Sequence, residues 1–129
     1  MKKGYIDTSQ LITPPENHEL ETAKFFAELG KKIIFIKPIN IKGNHTPDII
    51  MDGVEWEIKS PTGNGKHTIV NNFRNAVSQS RYLIFDLRRI KLPEDNCISK
   101  LKLEFKARSY LKKLLIIKKD NTLIQITNK

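Results

Sequence analysis

Hydrophobic and polar positions along the chain follow two spacings, one typical of helices and one typical of strands. Apolar residues recur every three or four positions in three stretches, which begin near Asn17, His67 and Asp95 and predict amphipathic helices. Short apolar runs bounded by Gly, Pro, Asn or Asp lie between and after these stretches and predict strands. The resulting order, α-β-β-β-α-β-α-β-β, indicates an α/β domain with a mixed, twisted sheet flanked by helices.

These patterns divide the chain into a short arm and one domain. Residues 1–16 lack a regular apolar period and end at Pro14 and Pro15, so we interpret them as an N-terminal arm or a short extended segment. Residues 17–129 are expected to form a single domain, because a chain of this length supports one hydrophobic core. The predicted helices span residues 17–29 and 67–80, and a third begins at residue 95 or 96. The predicted strands span residues 32–37, 48–51, 54–60, 82–87, 114–117 and 122–126. Residues 38–45 are predicted to form a loop.

The first helix and the first predicted strand have recognisable limits. Asn17 is the expected N-cap of the helix, and Gly30 is expected to end it. The strand that follows contains a continuous apolar run, residues 33–36, which is typical of a strand buried on both faces. The core-facing positions of the helix are Leu20, Ala23, Phe26 and Ala27.

Residues 48–60 predict a β-hairpin. Asp52 and Gly53 form a tight-turn pair between two short apolar runs. In the second strand a period of two places Glu57 and Lys59 on one face, together with Glu55, and apolar side chains on the other. Because the apolar face belongs in the core, the face with Glu57 and Lys59 is expected to open toward a cleft or solvent. Pairing across the hairpin then brings Asp48 beside them. The apolar residues are Val54, Trp56 and Ile58.

Two carboxylates in such proximity repel each other, and a divalent cation relieves the repulsion. Mg²⁺, or Mn²⁺ in its place, accepts one or two carboxylates together with waters and phosphate oxygens. A bound cation polarises a phosphodiester and lowers the pKa of a bound water, and Lys59 could orient that water or stabilise developing charge. The alternative is a solvated strand face with cross-strand charge pairs.

A third acid, Glu19, shares the core-facing side of the first helix with Ala23 and Phe26. A carboxylate on that side needs a partner, because burying an unpaired charge is costly. A metal site could supply the partner. Alternatively, the dipole of the helix could stabilise Glu19 within its first turn, and the residues alone leave both interpretations open.

The net charge is unevenly distributed. The chain has 23 Lys and Arg against 14 Asp and Glu, a net charge of +9, with −1 in residues 1–59 and +10 in residues 60–129. A basic half attracts polyanions, chiefly nucleic acid or anionic membrane, and a solvated cationic surface is the alternative. No apolar run approaches the roughly 20 residues of a membrane span, and no signal peptide is visible. We therefore expect action in the cytoplasm, without a membrane. The single cysteine, Cys97, excludes an internal disulfide and a cysteine-based zinc site.

A Pro-Asp pair, Pro47-Asp48, is followed after eight residues by Glu57, any residue and Lys59. This order resembles the signature of the PD-(D/E)xK nuclease superfamily. Longer blocks look like the C-terminal tRNase domain of CdiA-type contact-dependent growth inhibition toxins, over roughly residues 17–126. Those blocks are His18-Glu19-x-x-x-Ala23, Thr46-Pro47-Asp48, Trp56-Glu57-Ile58-Lys59-Ser60-Pro61 and Asp86-Leu87-Arg88-Arg89.

The resemblance implies a restriction-endonuclease-like fold and metal-dependent hydrolysis of phosphodiester bonds in RNA, with tRNA as the expected substrate. Glu19, Asp48 and Glu57 would be the acidic, metal-binding residues, with Mg²⁺ or Mn²⁺, and Lys59 the catalytic lysine. Arg88 and Arg89 would bind phosphate or cap the end of a strand. Further candidates for nucleic-acid binding are Lys66, Thr68, Asn72, Arg74 and Gln79.

Several alternatives stay open at this point. An endonuclease of the same fold could cut DNA, and a non-catalytic module could keep only the basic surface. A metal-independent nuclease would use His or Arg as acid and base and would resist EDTA. The resemblance also implies an acidic immunity protein as a partner, and it leaves the oligomeric state and the mode of delivery open.

Overall fold

The computed structural model of the protein describes residues 3–39 and 46–128. Most of the loop predicted over residues 38–45 lies outside them. Every predicted helix and strand is present in the predicted order. The helices are α1 (Asn17–Glu28), α2 (Thr68–Val77) and α3 (Glu94–Lys106), and the strands are β1 (Tyr5–Asp7), β2 (Lys32–Phe35), β3 (Ile49–Met51), β4 (Val54–Lys59), β5 (Tyr82–Asp86), β6 (Lys113–Ile117) and β7 (Leu123–Thr127).

The described strands form one mixed sheet in which the spatial order equals the order along the chain, β1 to β7. Strand β1 is parallel to β2, and β4, β5 and β6 are parallel to one another. The other neighbours pair antiparallel. This confirms the prediction of a mixed α/β sheet with helices. None of the helices in the described part of the chain is long and apolar enough to cross a membrane.

The helices cover the two faces of the sheet, and each face has its own core. Helix α1 packs on one face through Ala23 and Phe26, against side chains that include Ile84 of β5. Helices α2 and α3 pack on the other face, against side chains that include Leu83 and Phe85. Successive residues of β5 therefore point to opposite cores, as a period of two requires, and the middle of the sheet is buried on both sides.

Residues 1–16 were predicted to be an arm or a short extended segment, and three of them extend the sheet. Tyr5–Asp7 pairs with β2, and the backbone N–H of Gly4 donates to the carbonyl of Ala27 over 2.8 Å. A Cβ at Gly4 would lie 1.6 Å from the carbonyl oxygen of Lys31. The close approach of the two backbones therefore requires glycine at this position.

Two local predictions near α1 need correction. The helix begins at Asn17, so its N-cap is Glu16 and not Asn17. Gly30 does end the helical segment, with a φ of 91°. The strand predicted over residues 32–37 ends at Phe35, and its apolar run is not buried on both faces, since Ile34 is only half-buried.

The predicted hairpin is confirmed. Met51 pairs with Val54, and the two turn residues between them, Asp52 and Gly53, have φ values of 54° and 78°. Two successive positive φ values are the signature of a two-residue hairpin turn. The indole N–H of Trp56 donates to the carbonyl of Met51 over 2.9 Å and fixes the apolar side of the hairpin.

Candidate functional site

The register of the hairpin brings two acids together at the end of β3 and β4. Because Ile49 pairs with Trp56, Asp48 stands opposite Glu57. The backbone N–H of Asp48 donates to the carbonyl of Trp56 over 2.9 Å. One carboxylate oxygen of Asp48, Oδ2, accepts the backbone N–H of Ile58 over 2.8 Å. The main chain of β4 therefore holds the Asp48 carboxylate in place.

Glu57 is more deeply buried than the sequence suggested. It lies on the face of β4 that α2 covers, and only 6% of the residue is exposed, so this face does not open freely to solvent. Its Oε2 lies 3.4 Å from the Nζ of Lys59. Its Oε1 has no hydrogen-bond partner among the described residues. A buried polar atom without a partner is rare in folded proteins and calls for an explanation.

The electrostatic consequence is that both acids hold their protons more tightly than usual. Burial is the main cause, and it raises the pKa of Asp48 to about 6 and the pKa of Glu57 to about 8. The charge of Asp48 raises the pKa of Glu57 further, and Lys59 partly offsets this effect. Near neutral pH the metal-free pair therefore carries fewer than two negative charges, because two close anions in a buried site repel each other.

Glu19 lies beside this pair, at the start of α1. Its charge contributes to the raised pKa of Asp48, and both side chains line one groove. Its Oε1 also accepts the backbone N–H of Glu16 over 3.1 Å, which satisfies one of the free donors at the start of the helix. Glu19 therefore has a structural contact at the helix terminus and also borders the acid pair.

The acidic side chains of this site can be compared with the ligands that the predicted cation needs. Within residues 3–39 and 46–128, no group of three or more His, Cys, Asp or Glu side chains is arranged to hold a metal ion. Asp48 and Glu57 supply two carboxylates, which is the number that Mg²⁺ takes when waters and phosphate oxygens complete its shell. The unpartnered Oε1 of Glu57 and the mutual repulsion of the pair also fit a cation. A role for Glu19 as a third ligand stays a prediction.

Lys59 reaches the site from the end of β4. Its Nζ donates to the Oδ1 of Asn75 on α2 over 2.6 Å, and its side chain is 20% exposed. The amine is thus held between Glu57 and Asn75. Asn75 was absent from the predicted set, although it lies three residues after Asn72 and therefore on a neighbouring part of the same helix face. That spacing was the available signal.

The glycine-containing turn after β4 packs against the first residue of helix α2. A Cβ at Gly63 would lie 2.8 Å from the Oγ1 of Thr68. The side-chain amide of Asn72 donates to the carbonyl of Thr68 over 2.8 Å, so it lies along the first turn of the helix. Lys66 is exposed, and its carbonyl accepts the Nζ of Lys100 over 3.1 Å. These contacts hold the turn against the start of α2 and against α3.

The two remaining candidates on this helix lie farther along it. Arg74 is exposed in the last turn of α2. Gln79 follows the end of the helix by two residues. At 1.5 Å per residue, ten helical residues span about 15 Å. The structure therefore places Thr68 and Gln79 at opposite ends of α2, and Gln79 lies four residues beyond Asn75, the residue that contacts Lys59.

Arg88 was a candidate for phosphate binding, but its guanidinium is engaged within the protein. Its Nε and Nη2 donate to the two carboxylate oxygens of Asp86, over 3.0 and 2.8 Å. The hydroxyl of Thr22 on α1 donates to the same carboxylate over 2.7 Å. The guanidinium also lies 5.4 Å from the ring centroid of Phe25. These contacts favour the alternative that Arg88 caps the end of β5 and ties it to α1.

Arg89 points to the end of β4 instead. Its Nε donates to the hydroxyl of Ser60 over 3.1 Å, and its Nη2 donates to the carbonyl of Ser60 over 2.8 Å. Ser60 directly follows Lys59, and Arg89 is exposed. Arg89 is therefore the arginine of the pair that is placed to meet an anion near the acids.

Comparisons with known proteins agree with this architecture. A family model described as the contact-dependent growth inhibition CdiA C-terminal domain matches residues 45–123, more than half of the chain. A solved CdiA-CT/CdiI toxin and immunity complex from Burkholderia pseudomallei contains a chain of similar fold, with a TM-score of 0.67 and 16% identity. The similarity covers 95% of this chain and 98% of that one. No curated protein sequence matches. The match over the hairpin, α2 and α3 shows that the chain belongs to the family of CdiA C-terminal domains of contact-dependent growth inhibition.

Proposed function

We propose that the protein is a toxin domain of contact-dependent growth inhibition and acts as a metal-dependent endonuclease on RNA, with tRNA as the expected substrate. The observation that carries this proposal is the arrangement of Asp48, Glu57 and Lys59. The half-buried Asp48 and the buried Glu57 both have raised pKa values and stand opposite each other. One oxygen of Glu57 has no partner among the described residues, and the amine of Lys59 lies 3.4 Å from the same acid. Perturbed acids of this kind are typical of catalytic sites.

The residues have distinct roles in the proposed reaction. Asp48 and Glu57 would hold Mg²⁺ or Mn²⁺, and Glu19 borders them. A divalent cation at that position supplies polarisation of the phosphodiester and a bound water of lowered pKa. Lys59 stabilises the negative charge that develops at phosphorus, because its amine is held by Asn75 and does not have to reorganise. Burial of Glu57 keeps bulk water away and strengthens these interactions.

The charge distribution supports a polyanionic substrate. Residues 60–129 carry a net charge of +10, and they include Lys66, Arg74 and Arg89, which are exposed on or near α2 and the end of β4. Basic side chains around an acid pair attract phosphates, and the affinity then depends steeply on salt. The same surface suits an acidic immunity protein, and the similar chain from Burkholderia pseudomallei is part of a toxin and immunity complex.

A cleavage assay tests the proposal. Purified protein is incubated with total tRNA and with plasmid DNA, each with Mg²⁺, with Mn²⁺ and with EDTA. We expect cleavage of tRNA that requires the cation and fails in EDTA. Cleavage of plasmid DNA instead would make the protein a DNA endonuclease, and cleavage in EDTA would exclude the metal-dependent mechanism. Binding of tRNA without any cleavage would reduce the protein to a nucleic-acid-binding module.

Growth of the producing cell tests the role as a toxin. We expect expression of the wild-type chain alone to arrest growth and expression of Lys59→Ala to be tolerated. Healthy growth with the active chain would contradict a toxin role while leaving the chemistry intact.

A further inference from the structure

A groove lies beside the acid pair, between residues 11–16 and the end of β2. Its volume is about 360 Å³, and Asp48 and Glu19 border it at one end. The opposite wall is apolar and comes from the segment that precedes α1. Ile12 of this wall is 87% exposed, so no described side chain covers it. A groove of this size is in the usual range for a small ligand, roughly 300–1,000 Å³, and is too small for a duplex. The apolar wall consists of Leu11, Ile12, Pro14 and Pro15.

Hydrogen bonds hold this wall in position. The backbone N–H of Leu11 donates to the carbonyl of Thr8 over 3.0 Å. The backbone N–H of Lys37, on the other side of the groove, donates to the side-chain oxygen of Gln10 over 3.3 Å. Strand β1, just before this segment, pairs with β2. The groove is therefore formed before any ligand binds, which lowers the entropic cost of binding.

In the metal-free protein the charges along the groove disfavour an anion and favour a hydrogen-bond donor. Three acids line it, Glu16, Glu19 and Asp48, against one cation, Lys37. An anion would be repelled at this position. A neutral planar group could pack on the apolar wall and donate to a carboxylate, and Glu16 is exposed. Cytosine, adenine and guanine carry an exocyclic amine that can reach a carboxylate, whereas the base donor of uracil, N3–H, lies between two carbonyl oxygens that repel one.

We propose that this groove is a binding subsite for one unpaired nucleobase that carries an exocyclic amine, next to the phosphate that is cut. The proposal rests on the proposed nuclease function. Proteins recognise RNA mainly at unpaired nucleotides whose bases can leave the stack. The base would occupy the acidic, apolar groove, while the phosphates follow the basic side near Arg89 and Lys66. Residues 11–16 thereby select the cleavage site, and Lys59 and the acids cut it.

Nucleoside binding tests the subsite without any cleavage. Cytidine and uridine, which have no phosphate, are titrated into ¹⁵N-labelled wild-type protein in EDTA. We expect cytidine to shift the backbone amides of residues 11–13, Glu16 and Lys37. Uridine should bind at least about fivefold more weakly, because its base donor, N3–H, lies between two carbonyl oxygens that repel a carboxylate. Ile12→Ser should weaken cytidine binding at least about fivefold through the loss of apolar contact. Glu16→Gln should reduce the preference for cytidine.

The matched control is Leu103→Ser, which removes an apolar side chain that is 71% exposed on α3 and should leave nucleoside binding unchanged. No shift at these amides with either nucleoside, equal affinity for both, or equal affinity of Ile12→Ser and wild-type protein would overturn the subsite. A wild-type protein that cuts tRNA but fails this test rejects the subsite alone. A protein that passes it but cuts no nucleic acid rejects the proposed nuclease function alone.

Discussion

Glu57 and Asp86 are buried carboxylates near the ends of neighbouring strands, and their surroundings differ sharply. Asp86 is 2% exposed, and each of its oxygens accepts two hydrogen bonds from Arg88 or Thr22. Burial alone would raise the pKa of Asp86, but these contacts outweigh it and hold the pKa below its usual value. Glu57 is as deeply buried, yet one oxygen is unpartnered among the described residues and its pKa rises to about 8.

The number of hydrogen-bond partners separates an acid that maintains the fold from one that is available for chemistry. A buried charge whose partners are all supplied by the protein contributes to structure, and removing a partner is costly. A buried charge that the protein leaves incompletely partnered is destabilising in isolation, and it is tolerated where a ligand or substrate supplies the missing interaction. Asp86 belongs to the first kind and Glu57 to the second.

The largest expected effect is on catalysis at Lys59. Lys59→Ala should lower the rate of tRNA cleavage by roughly 10²-fold or more, because the amine stabilises charge in the transition state. Its stability should fall by about 1 kcal/mol, because Glu57 and Asn75 lose the amine that contacts them. The fold should stay intact, since the apolar face of β4 fixes the backbone. Cleavage rate, tRNA affinity and melting temperature are measured on one preparation. A folded Lys59→Ala protein that cuts at the wild-type rate would remove Lys59 from the mechanism.

The next largest effect is expected on the stability of the protein when Asp86 is replaced. Asp86→Ala leaves the guanidinium of Arg88 and the hydroxyl of Thr22 without their acceptor and should destabilise the protein by about 3 kcal/mol. The melting temperature should fall by about 10 °C. Thermal unfolding followed by circular dichroism measures it. A melting temperature within 2 °C of wild type, on the order of measurement scatter, would show that the contacts seen at Asp86 do not hold α1 to the sheet.

Glu57→Gln should raise the melting temperature instead of lowering it. In EDTA it replaces an acid whose pKa folding raises to about 8 with a neutral side chain of the same shape. This removes the cost of that shift, so the melting temperature should rise by about 5 °C. The same substitution should abolish cation-dependent cleavage. If Glu57→Gln instead lowers the melting temperature in EDTA, Glu57 is an ordinary structural acid like Asp86.

The two acids should also respond oppositely to pH. The folded pKa of Asp86 is lowered, so its contribution is present above its unfolded pKa, about 3.9, and is lost as pH falls through the folded pKa. The stability gap between wild type and Asp86→Ala should therefore narrow at acidic pH. The folded pKa of Glu57 is raised to about 8, so its ionisation destabilises the metal-free fold as pH rises. The gain from Glu57→Gln should be larger at pH 8 than at pH 5, and the reverse trend would contradict the assigned shifts.

A smaller effect is expected at Asn75, which holds Lys59 from α2. Asn75→Ala should lower kcat by about 3- to 10-fold with little change in KM, because it loosens a group that acts in the transition state. Asn75→Asp keeps the acceptor oxygen and should restore most of the rate. Asn71→Ala, an exposed asparagine one turn earlier on α2, serves as the matched control. A rise in KM with unchanged kcat would place Asn75 in substrate binding instead.

Much of the hairpin could be predicted from the sequence because its signals are local. The Asp52-Gly53 turn sets the register, and the period of two then places Asp48 opposite Glu57. The burial of Glu57 could not be predicted, because it depends on α2, which follows β4 in sequence and packs over it. The short extended segment allowed for residues 1–16 is present as β1, but its pairing with β2 could not be predicted, because three residues, Tyr5–Asp7, give too short a pattern.

The hydrogen bonds that Asp86 accepts from Thr22 and Arg88 were not predicted, for a different reason. Thr22 lies outside the core-facing positions predicted for α1, yet it is fully buried. Its hydroxyl is satisfied by a residue 64 positions away. A contact of that sequence separation leaves no periodic signal, so Arg88 was assigned to nucleic acid although its partners lie within the protein. The contact of Asn75 with Lys59 could not be predicted for the same reason, because it joins α2 to β4.

The central claim is that Asp48 and Glu57 form a site for a divalent cation and that Asp86 does not. The most direct test of it is the melting temperature with and without Mg²⁺ or Mn²⁺. A cation that binds only the folded state stabilises it by mass action. We predict that about 10 mM cation raises the melting temperature of the wild-type protein by several degrees. The same shift is expected for Glu104→Gln, which changes a half-buried acid paired with Arg108 on α3 and the turn after it. No shift is expected for Glu57→Gln. An unchanged wild-type protein, or an equal shift for Glu57→Gln, would contradict the account.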